Sequence, residues 1–361
     1  MTPPALVPVP DPVPLPVPDP LQPEVRWLDE LGGLEEEGFA EVDRASVRVD
    51  PQRSAASLTE AGAAGLRLAE VVGGKAAGLA LLLRAGLPVP DGFVAWSPEA
   101  AREGYAVLAR RSGITRPLVA VRSSSPVEDG EARSAAGLLP TELGVRGADA
   151  VAAAVARIIA AEASLSADWP RSAESASSAE ATRSAEETSG AGQEQHPGPS
   201  ATQSFPVLVQ LMVSAVAAGV SFSAHPVTGA RDRIVVEAVH GLGVLLTDGQ
   251  VVPEHVVVHR HTGAVLTSRL GRQRLVATVS ESGLTRVERL DPASPDVASG
   301  ASSPVLTPAR LDAVVAMTLR AEQAIGAAAD VEWAFDETDR LWVLQARPIT
   351  TLPLADAVPP G

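Results

Sequence analysis

Residues 330–351 read DVEWAFDETDRLWVLQARPITT, and this stretch decides which fold the sequence predicts. Its first part, residues 331–335, alternates polar and apolar side chains, whereas residues 341–346 are mostly apolar. Both patterns are typical of short β-strands, and the acidic residues between them favour a turn. The stretch therefore predicts a β-hairpin.

Four polar side chains meet at one end of this predicted hairpin. Asp330 and Glu332 are two residues apart, so they project from the same face of a strand. Gln345 and Arg347 share a face of the return strand in the same way. Mg²⁺ usually takes one or two carboxylates and completes its shell with water and substrate phosphates, and an arginine beside it neutralises further phosphate oxygens. The residues indicate a nucleoside triphosphate site; the alternative is an edge hairpin whose charges face water.

Composition limits the remaining possibilities. A length of 361 residues is enough for two or three domains, and a hydrophobic content of 45% is enough for a sizeable core. The absence of cysteine excludes disulfides, thiolate catalysis and zinc–sulfur sites, and a reducing cytoplasmic location fits it. The net charge of −15 argues against nucleic acid or an anionic membrane as the main partner. No apolar run is long enough to span a bilayer.

Three regions are predicted to lie outside the folded domain, which begins near Leu66 and extends to residue 352. Residues 1–65 form a proline-rich and then acidic extension that we expect to be largely disordered, with a docking site for a proline-recognising module as the alternative. Residues 166–204, rich in Ser, Ala and Glu, are expected to be a disordered insertion, because they contain too few large apolar residues to offset the entropy of ordering. Residues 353–361 are expected to be a disordered tail.

A glycine pair precedes the first strong helix pattern, at residues 76–85. Glycines before a helix let backbone N–H groups approach an anion, which the helix dipole also favours. Lys75, in the first turn, is placed to reach the same anion. The alternative is a simple turn into a helix.

A second cationic side chain follows a predicted buried strand at residues 118–121. Arg122 comes at the end of this strand and is followed by serines and a loop of small residues. Such an arrangement suits a triphosphate grip, and a surface loop is the alternative.

The second half mixes strands and one long helix. Strands are predicted at residues 207–213, 219–223, 233–239, 254–259 and 264–268. Thr307 is a predicted N-cap, with Pro308 opening a helix that runs to Ile325. Because the elements do not alternate strictly, the sequence favours an α+β (mixed α/β) fold over a doubly wound sheet.

Five segments cover most of residues 70–352. They are, in order, VGGKAAGLALLLRAGLPVPDGFV, VAVRSSSPVEDGEARSAAG, VLVQLMV with AGVSFSAHPVTGARD, IVVEAVHGLG, and VEWAFDETDRLWVLQARPITTL. Taken together, these segments resemble the N-terminal ATP-binding domain shared by phosphoenolpyruvate synthase, pyruvate phosphate dikinase and rifampin phosphotransferase.

The resemblance implies an ATP-grasp-like fold, in which two lobes close on Mg-ATP. It implies that Lys75, Arg122 and Arg347 are catalytic and hold phosphates. It also implies that Asp330, Glu332 and Gln345 bind the metal. The backbone that faces adenine would be that of Gln210, Leu211, Met212 and Val213.

The sequence also departs from this family pattern. The family continues into a domain with a phosphorylated histidine, and none of the six histidines here lies in such a motif. The resemblance therefore implies that ATP is converted to AMP and that the β-phosphoryl group passes to a histidine domain on a separate polypeptide. A family segment with a further phosphate-binding arginine is replaced by residues 163–204. His225, His240 and Val244 stand where the family commonly has Asn, an aromatic residue and Glu.

Three functions remain open from the sequence. The first is a phosphotransferase subunit that works with a phosphohistidine-domain protein. The second is an ATP sensor or scaffold that has lost catalysis, which the replaced arginine segment favours. The third is a remnant that binds no nucleotide.

Overall fold

Two antiparallel sheets organise the chain. The computed structural model describes residues 25–31, 67–124, 141–167, 205–280, 283, 285–289, 303–349 and 352. The predicted disordered regions therefore lie mostly outside the described residues. Two parts of them are within the fold: residues 25–31, and residues 166–167, which end a helix.

The first sheet has five strands in the order β1-β2-β5-β3-β4. Every described pairing within it is antiparallel. Its strands are β1 (Val25–Trp27), β2 (Gly92–Ala95), β3 (Leu118–Ser123), β4 (Thr141–Arg146) and β5 (Val207–Leu211).

The second sheet has six strands in the order β13-β12-β6-β7-β8-β9, also antiparallel. A separate hairpin, β10–β11, meets the residue after β7 through a bridge between Ala277 and Gly241. The strands are β6 (Ala215–Phe222), β7 (Arg233–His240), β8 (Glu254–His259), β9 (Val265–Arg269), β10 (Leu275–Val279), β11 (Thr285–Arg289), β12 (Ala329–Asp336) and β13 (Leu341–Pro348).

Helices cover the sheets, and the local sequence explains how several of them begin. Ser97 and Thr307 are N-caps whose side chains accept hydrogen bonds from the first turns of α4 and α7, and each is followed by proline. None of the described helices is both long and apolar enough to cross a membrane. The helices are α1 (Leu28–Leu31), α2 (67–72), α3 (Gly74–Arg84), α4 (Pro98–Ser112), α5 (Ala148–Ala167), α6 (Val244–Thr247) and α7 (Pro308–Ile325).

One hydrophobic cluster connects the two sheets through α3. Buried side chains of α3 pack with Val94 and Leu208 of the first sheet and with Val331 and Trp333 of the second. A second cluster lies between the first sheet and helices α4 and α5. Because α3 is packed on both sides, its first residue is held where the two sheets approach each other.

The α+β class is confirmed, since both sheets are antiparallel and the helices pack against them. The predicted closing hairpin and the helix that starts after Thr307 are also present at almost the predicted bounds. The two sheets form two lobes with a cleft between them, which is the arrangement expected of an ATP-grasp-like fold.

Several predicted boundaries need correction. The strand predicted at 207–213 ends at Leu211, and the strand predicted at 219–223 begins earlier, at Ala215. The first long helix begins at Gly74, two residues before the predicted start at residue 76, and Lys75 lies in its first turn as predicted.

The N-terminal extension is also corrected in part. Residues 25–31 add an edge strand to the first sheet, and Leu28 and Leu31 are buried against α3. Arg111 holds this segment from outside, donating to Asp29 and lying over the ring of Trp27. The prediction that order begins near Leu66 is therefore wrong for these seven residues. Their sequence has no periodic pattern that would indicate a strand or a helix.

Candidate functional site

A cavity of about 670 Å³ lies between the two sheets. This volume is in the range of small-molecule binding pockets. Its wall contains every residue that the sequence predicted for the site. They are Lys75, Arg122, Gln210, Leu211, Met212, Val213, Asp330, Glu332, Gln345 and Arg347.

The closing hairpin provides the acidic side of the cavity. Asp330 is paired with Arg347, and Glu332 with Gln345, so the four side chains form two adjacent cross-strand pairs. Arg347 Nε donates a hydrogen bond to Asp330 Oδ2 over 3.0 Å. The pairing register shifts immediately after Glu332, at a β-bulge. This register is what brings the two carboxylates, the amide and the guanidinium to one place.

Asp330 is an unusual carboxyl group, because it is largely buried. Burial raises the pKa of Asp330 above its ordinary value. The Arg347 guanidinium lowers the pKa, and the neighbouring Glu332 carboxylate raises it again. A cation bound between these two carboxylates would favour the ionised form of both.

Arg122 joins the two lobes at the cavity. It lies near the end of β3, in the first sheet, and its Nη1 atom is 3.6 Å from Glu332 Oε2 in the second sheet. Its Nε atom is buried and makes no hydrogen bond in the part of the chain that the structure describes. The guanidinium is therefore held in place with donor capacity that an anion can satisfy.

Lys75 reaches the cavity from the first turn of α3. Its Nζ atom donates to Ser123 Oγ over 3.4 Å, next to Arg122 in sequence. It is also the only lysine among the 29 lysine and arginine residues of the chain. Its position near the start of a helix adds the favourable field of the helix dipole for an anion.

The segment after β5 forms another wall. The Leu211 N–H donates to the Asp91 carbonyl oxygen, and the Met212 N–H donates to the Leu118 carbonyl oxygen. These bonds fix the backbone up to the point where Met212 and Val213 line the cavity. The segment thus presents an ordered, mainly apolar edge that suits a flat base.

Several parts of the wall were not predicted from the sequence. They include Thr141 and Leu143 of β4, Ala218 and Val220 of β6, and Val244, Leu246, Thr247 and Asp248 of the short helix α6 and its end. Strand β4 has no clean alternation of buried and exposed residues, and four-residue α6 is too short for a helical period. In the sequence, Val244 stands out only as a departure from the family pattern.

The histidines lie elsewhere. None of the five within the described residues lines the cavity. His225 Nδ1 accepts hydrogen bonds from its own turn, and His240 Nε2 lies 3.0 Å from the Ser303 carbonyl oxygen. Among the described residues, no three His, Cys, Asp or Glu side chains are grouped to hold a metal. A metal at the hairpin would therefore depend on two carboxylates and an amide.

The fold and the cavity define an α+β domain with two lobes and, between them, a cleft lined by cationic and acidic side chains. The family model described as "Pyruvate phosphate dikinase, AMP/ATP-binding domain" matches residues 97–359, nearly three quarters of the chain. The chain therefore belongs to the pyruvate phosphate dikinase AMP/ATP-binding domain family. Lys75 lies before the matched range.

Curated relatives agree with this family. Phosphoenolpyruvate synthase of Aeropyrum pernix is 29% identical over 357 aligned positions, which cover 78% of this chain and 41% of that protein. The prodigiosin synthesizing transferase PigC of Serratia marcescens is 30% identical, covering 78% of this chain and 32% of that protein. The chain thus spans about a third to two fifths of the length of these relatives.

One of the matching solved structures shows a distant similarity. The D-alanine–D-alanine ligase of Coxiella burnetii superposes with a TM-score of 0.35 and 12% identity, covering 79% of this chain and 50% of that one. A similarity of that size says nothing about the ligands or the activity of this chain.

Proposed function

We propose that this chain binds Mg-ATP in the cavity and acts as the phosphoryl donor of a pyruvate phosphate dikinase-type relay. In the proposed reaction ATP becomes AMP, the β-phosphoryl group passes to a histidine nitrogen, and the γ-phosphate is released to water. The proposal makes the chain an ATP-dependent phosphotransferase whose acceptor is a phosphohistidine domain.

The observation that carries the proposal is the convergence of three cations from separate segments on one cavity. Lys75 comes from α3, Arg122 from β3 and Arg347 from β13. Three cations around one cavity suit the charge of a triphosphate, and two of them are fork-shaped donors that match phosphate oxygens. We assign phosphate binding to these three residues.

The donor set of the hairpin fits Mg²⁺. Asp330, Glu332 and Gln345 offer two carboxylates and an amide oxygen, and Mg²⁺ usually takes one or two carboxylates and fills its shell with water and phosphates. When bound, the ion supplies charge neutralisation and a template for the phosphates. We assign its binding to these three residues.

The remaining chemistry is positioning. Phosphoryl transfer asks for little covalent help, so the chain has to orient the triphosphate and neutralise the charge that develops on it. In this proposal Met212 and Val213 hold the base at the other wall, with Gln210 and Leu211 behind them. The two lobes together enclose the reacting phosphates.

The acceptor histidine is proposed to lie on a separate polypeptide. The absence of the five described histidines from the cavity wall supports an acceptor that approaches from outside the described residues. The proposal also places the protein in the cytoplasm, where ATP is available.

The test is a titration of the full chain with Mg-ATP by calorimetry, followed by assays of AMP and phosphate with candidate phosphohistidine-domain proteins. We expect the chain to bind Mg-ATP without any partner, and to form AMP and phosphate only when an acceptor protein is present. Arg347→Ala and Glu332→Ala should each lower turnover by roughly 10²–10³-fold while the circular dichroism spectrum is unchanged. Unchanged turnover in both variants would contradict the site assignment.

One observation favours a second function, that of an ATP sensor. Val244 lines the cavity with an apolar side chain where the family resemblance leads us to expect Glu. If that position contributes to catalysis, the chain retains binding without transfer. ATP binding with no AMP formed under any pairing would support the sensor.

A further inference from the structure

Ser124 holds the start of α3 against the end of β3. The residue is fully buried, and it does not line the cavity. Its hydroxyl donates to the Val72 carbonyl oxygen over 2.7 Å and accepts a hydrogen bond from the Ala76 N–H over 3.1 Å. The sequence suggests a triphosphate grip for the serines after Arg122, but this one is turned towards the helix.

The hydroxyl of Ser124 replaces the cap that α3 lacks. The N-cap position is Gly73, which has no side chain to accept a hydrogen bond. Ala76 is the third residue of the helix, whose N–H is one of the donors that a cap ordinarily satisfies. Ser124 satisfies it from 48 residues away in the sequence.

The contact between the two segments is too close for any other residue at position 73. A Cβ atom on Gly73 would lie 1.2 Å from the Ser124 carbonyl oxygen, and Gly73 has a φ of +80°. The two backbones therefore touch directly. Lys75 and Arg122 each lie two residues from this contact, and Lys75 Nζ donates to Ser123 Oγ beside it.

We propose that Ser124 is a positioning residue that sets the place of Lys75 relative to Arg122. Its hydroxyl fixes the first turn of α3 and hence the point from which the Lys75 side chain enters the cavity. The inference rests on the proposed function, because it takes Lys75 as a phosphate-binding residue.

The test is a double-mutant cycle on the full chain, with Mg-ATP affinity as the readout. The four proteins are wild type, Ser124→Ala, Lys75→Ala and the double variant. We expect Ser124→Ala to weaken binding roughly tenfold in the wild-type background, a free-energy difference of about 1.4 kcal/mol. In the Lys75→Ala background it should have no further effect. Equal losses in both backgrounds, or no loss in the wild-type background, would overturn the inference.

Ser97→Ala is the matched control. Ser97 caps α4 through the same kind of bond, with Ala100 N–H donating to its hydroxyl over 3.1 Å, and it does not line the cavity. Its loss should lower the melting temperature without changing ATP affinity. An equal loss of affinity in Ser97→Ala would show that the cycle reports stability alone and would overturn the inference.

The single variants distinguish failure of the proposed function from failure of the positioning role. If Lys75→Ala binds Mg-ATP as wild type does, the proposed role of Lys75 is wrong, and the role of Ser124 falls with it. If Lys75→Ala loses affinity and Ser124→Ala does not, only the positioning role is wrong. If Ser124→Ala fails to fold, Ser124→Cys keeps a weak donor and acceptor at this position while weakening both hydrogen bonds, and the same cycle applies to it.

Discussion

Lys75 differs from every other cationic side chain of the chain, because all the others are arginines. Its ammonium is a compact point charge on a flexible stem, whereas a guanidinium is a rigid planar fork. At the crowded junction beside Ser123 the smaller group fits and still reaches the cavity. The same fact gives a direct way to test whether a nucleotide lies there.

An acyl phosphate derivative of ATP should acylate a single side chain. The reactive carbonyl lies at the terminal phosphate, and Lys75 provides the only lysine ε-amine of the chain. Peptide mass spectrometry should show one labelled side chain, at Lys75, and excess Mg-ATP should prevent the labelling. Lys75→Arg is the control that should remain unlabelled. A label restricted to the amino terminus would contradict the proposed phosphate position.

Glu332→Gln should weaken Mg-ATP binding more than it weakens ATP binding without the metal. The change removes one carboxylate from a set of two and keeps the side-chain shape. It also removes the ion pair with Arg122, whose loss affects ATP binding with and without the metal, so the difference between the two conditions reports on the cation. We expect a loss on the order of tenfold or more in the presence of Mg²⁺. Glu337→Gln, in the turn of the same hairpin and away from the cavity wall, is the control. Calorimetry with and without Mg²⁺ measures the difference, and equal losses in the two glutamate variants would argue against a metal at Glu332.

Among the elements, the closing hairpin is fixed by its turn as much as by its strands. The Asp336 carboxylate accepts hydrogen bonds from the Thr338 hydroxyl, from Trp342 Nε1 and from the backbone N–H groups of Arg340 and Thr338, at 2.6–3.0 Å. Burial alone would raise its pKa, but these hydrogen bonds outweigh it and lower the pKa of Asp336 to about 2. The turn therefore favours one register, and that register places the site residues.

Asp336→Asn should destabilise the fold in a pH-dependent way. The folded pKa lies below the ordinary value of 3.8, so the ionised carboxylate contributes stability above pH 3.8, and that contribution is lost as the pH falls towards 2. The difference in melting temperature between wild type and variant should be constant near neutral pH and shrink below about pH 4. Asp312→Asn is the control. A difference that stays constant down to about pH 3 would contradict the role of the carboxylate.

The elements that were predicted from the sequence are mainly those with a clear local pattern. The hairpin and α7 were predicted because alternation, an N-cap and a proline mark them clearly. Strand β11 was missed because all five of its residues are exposed and leave no hydrophobic period. Helix α4 was not predicted, although Ser97 and Pro98 are standard start signals.

At the scale of the whole molecule, the two lobes touch at a pair of glycines. A Cβ atom on Gly283, beside hairpin β10–β11, would lie 2.3 Å from the Gly144 carbonyl oxygen of β4. Both glycines have positive φ angles. The contact lies between the sheet that carries Arg122 and the hairpin that is bridged to Gly241, the residue after β7 of the second sheet, so we expect it to influence the width of the cleft.

Gly283→Ala should separate the lobes and weaken Mg-ATP binding. Gly263→Ala is a close control, because Gly263 has a similar positive φ of +70° but no described heavy atom within 4 Å of the place that a Cβ would take. Both variants should lose about 1–2 kcal/mol of stability from the left-handed backbone. Only Gly283→Ala should also lose ATP affinity and increase the radius of gyration in solution scattering. Equal affinities in the two variants would exclude a role for the contact.

The composition of the site was predictable, but its geometry was not. The spacing of two residues placed Asp330 and Glu332 on one face of the strand. Cross-strand pairing then placed Arg347 and Gln345 beside them. Nothing in the sequence could give the approach of Arg122 to Glu332, because that distance depends on how the two sheets pack. The capping of α3 by Ser124 was hidden for the same reason, since its partners lie 48 and 52 residues away.

The order of the strands has a consequence for synthesis of the protein. Strand β13, which carries Gln345 and Arg347, is the last described strand, and it completes a cleft whose first contributor is Lys75. A growing polypeptide on the ribosome cannot bind nucleotide through Lys75, Gln345 and Arg347 together until residue 348 has emerged from the exit tunnel. Ligand capture by stalled nascent chains of increasing length should therefore begin abruptly rather than gradually.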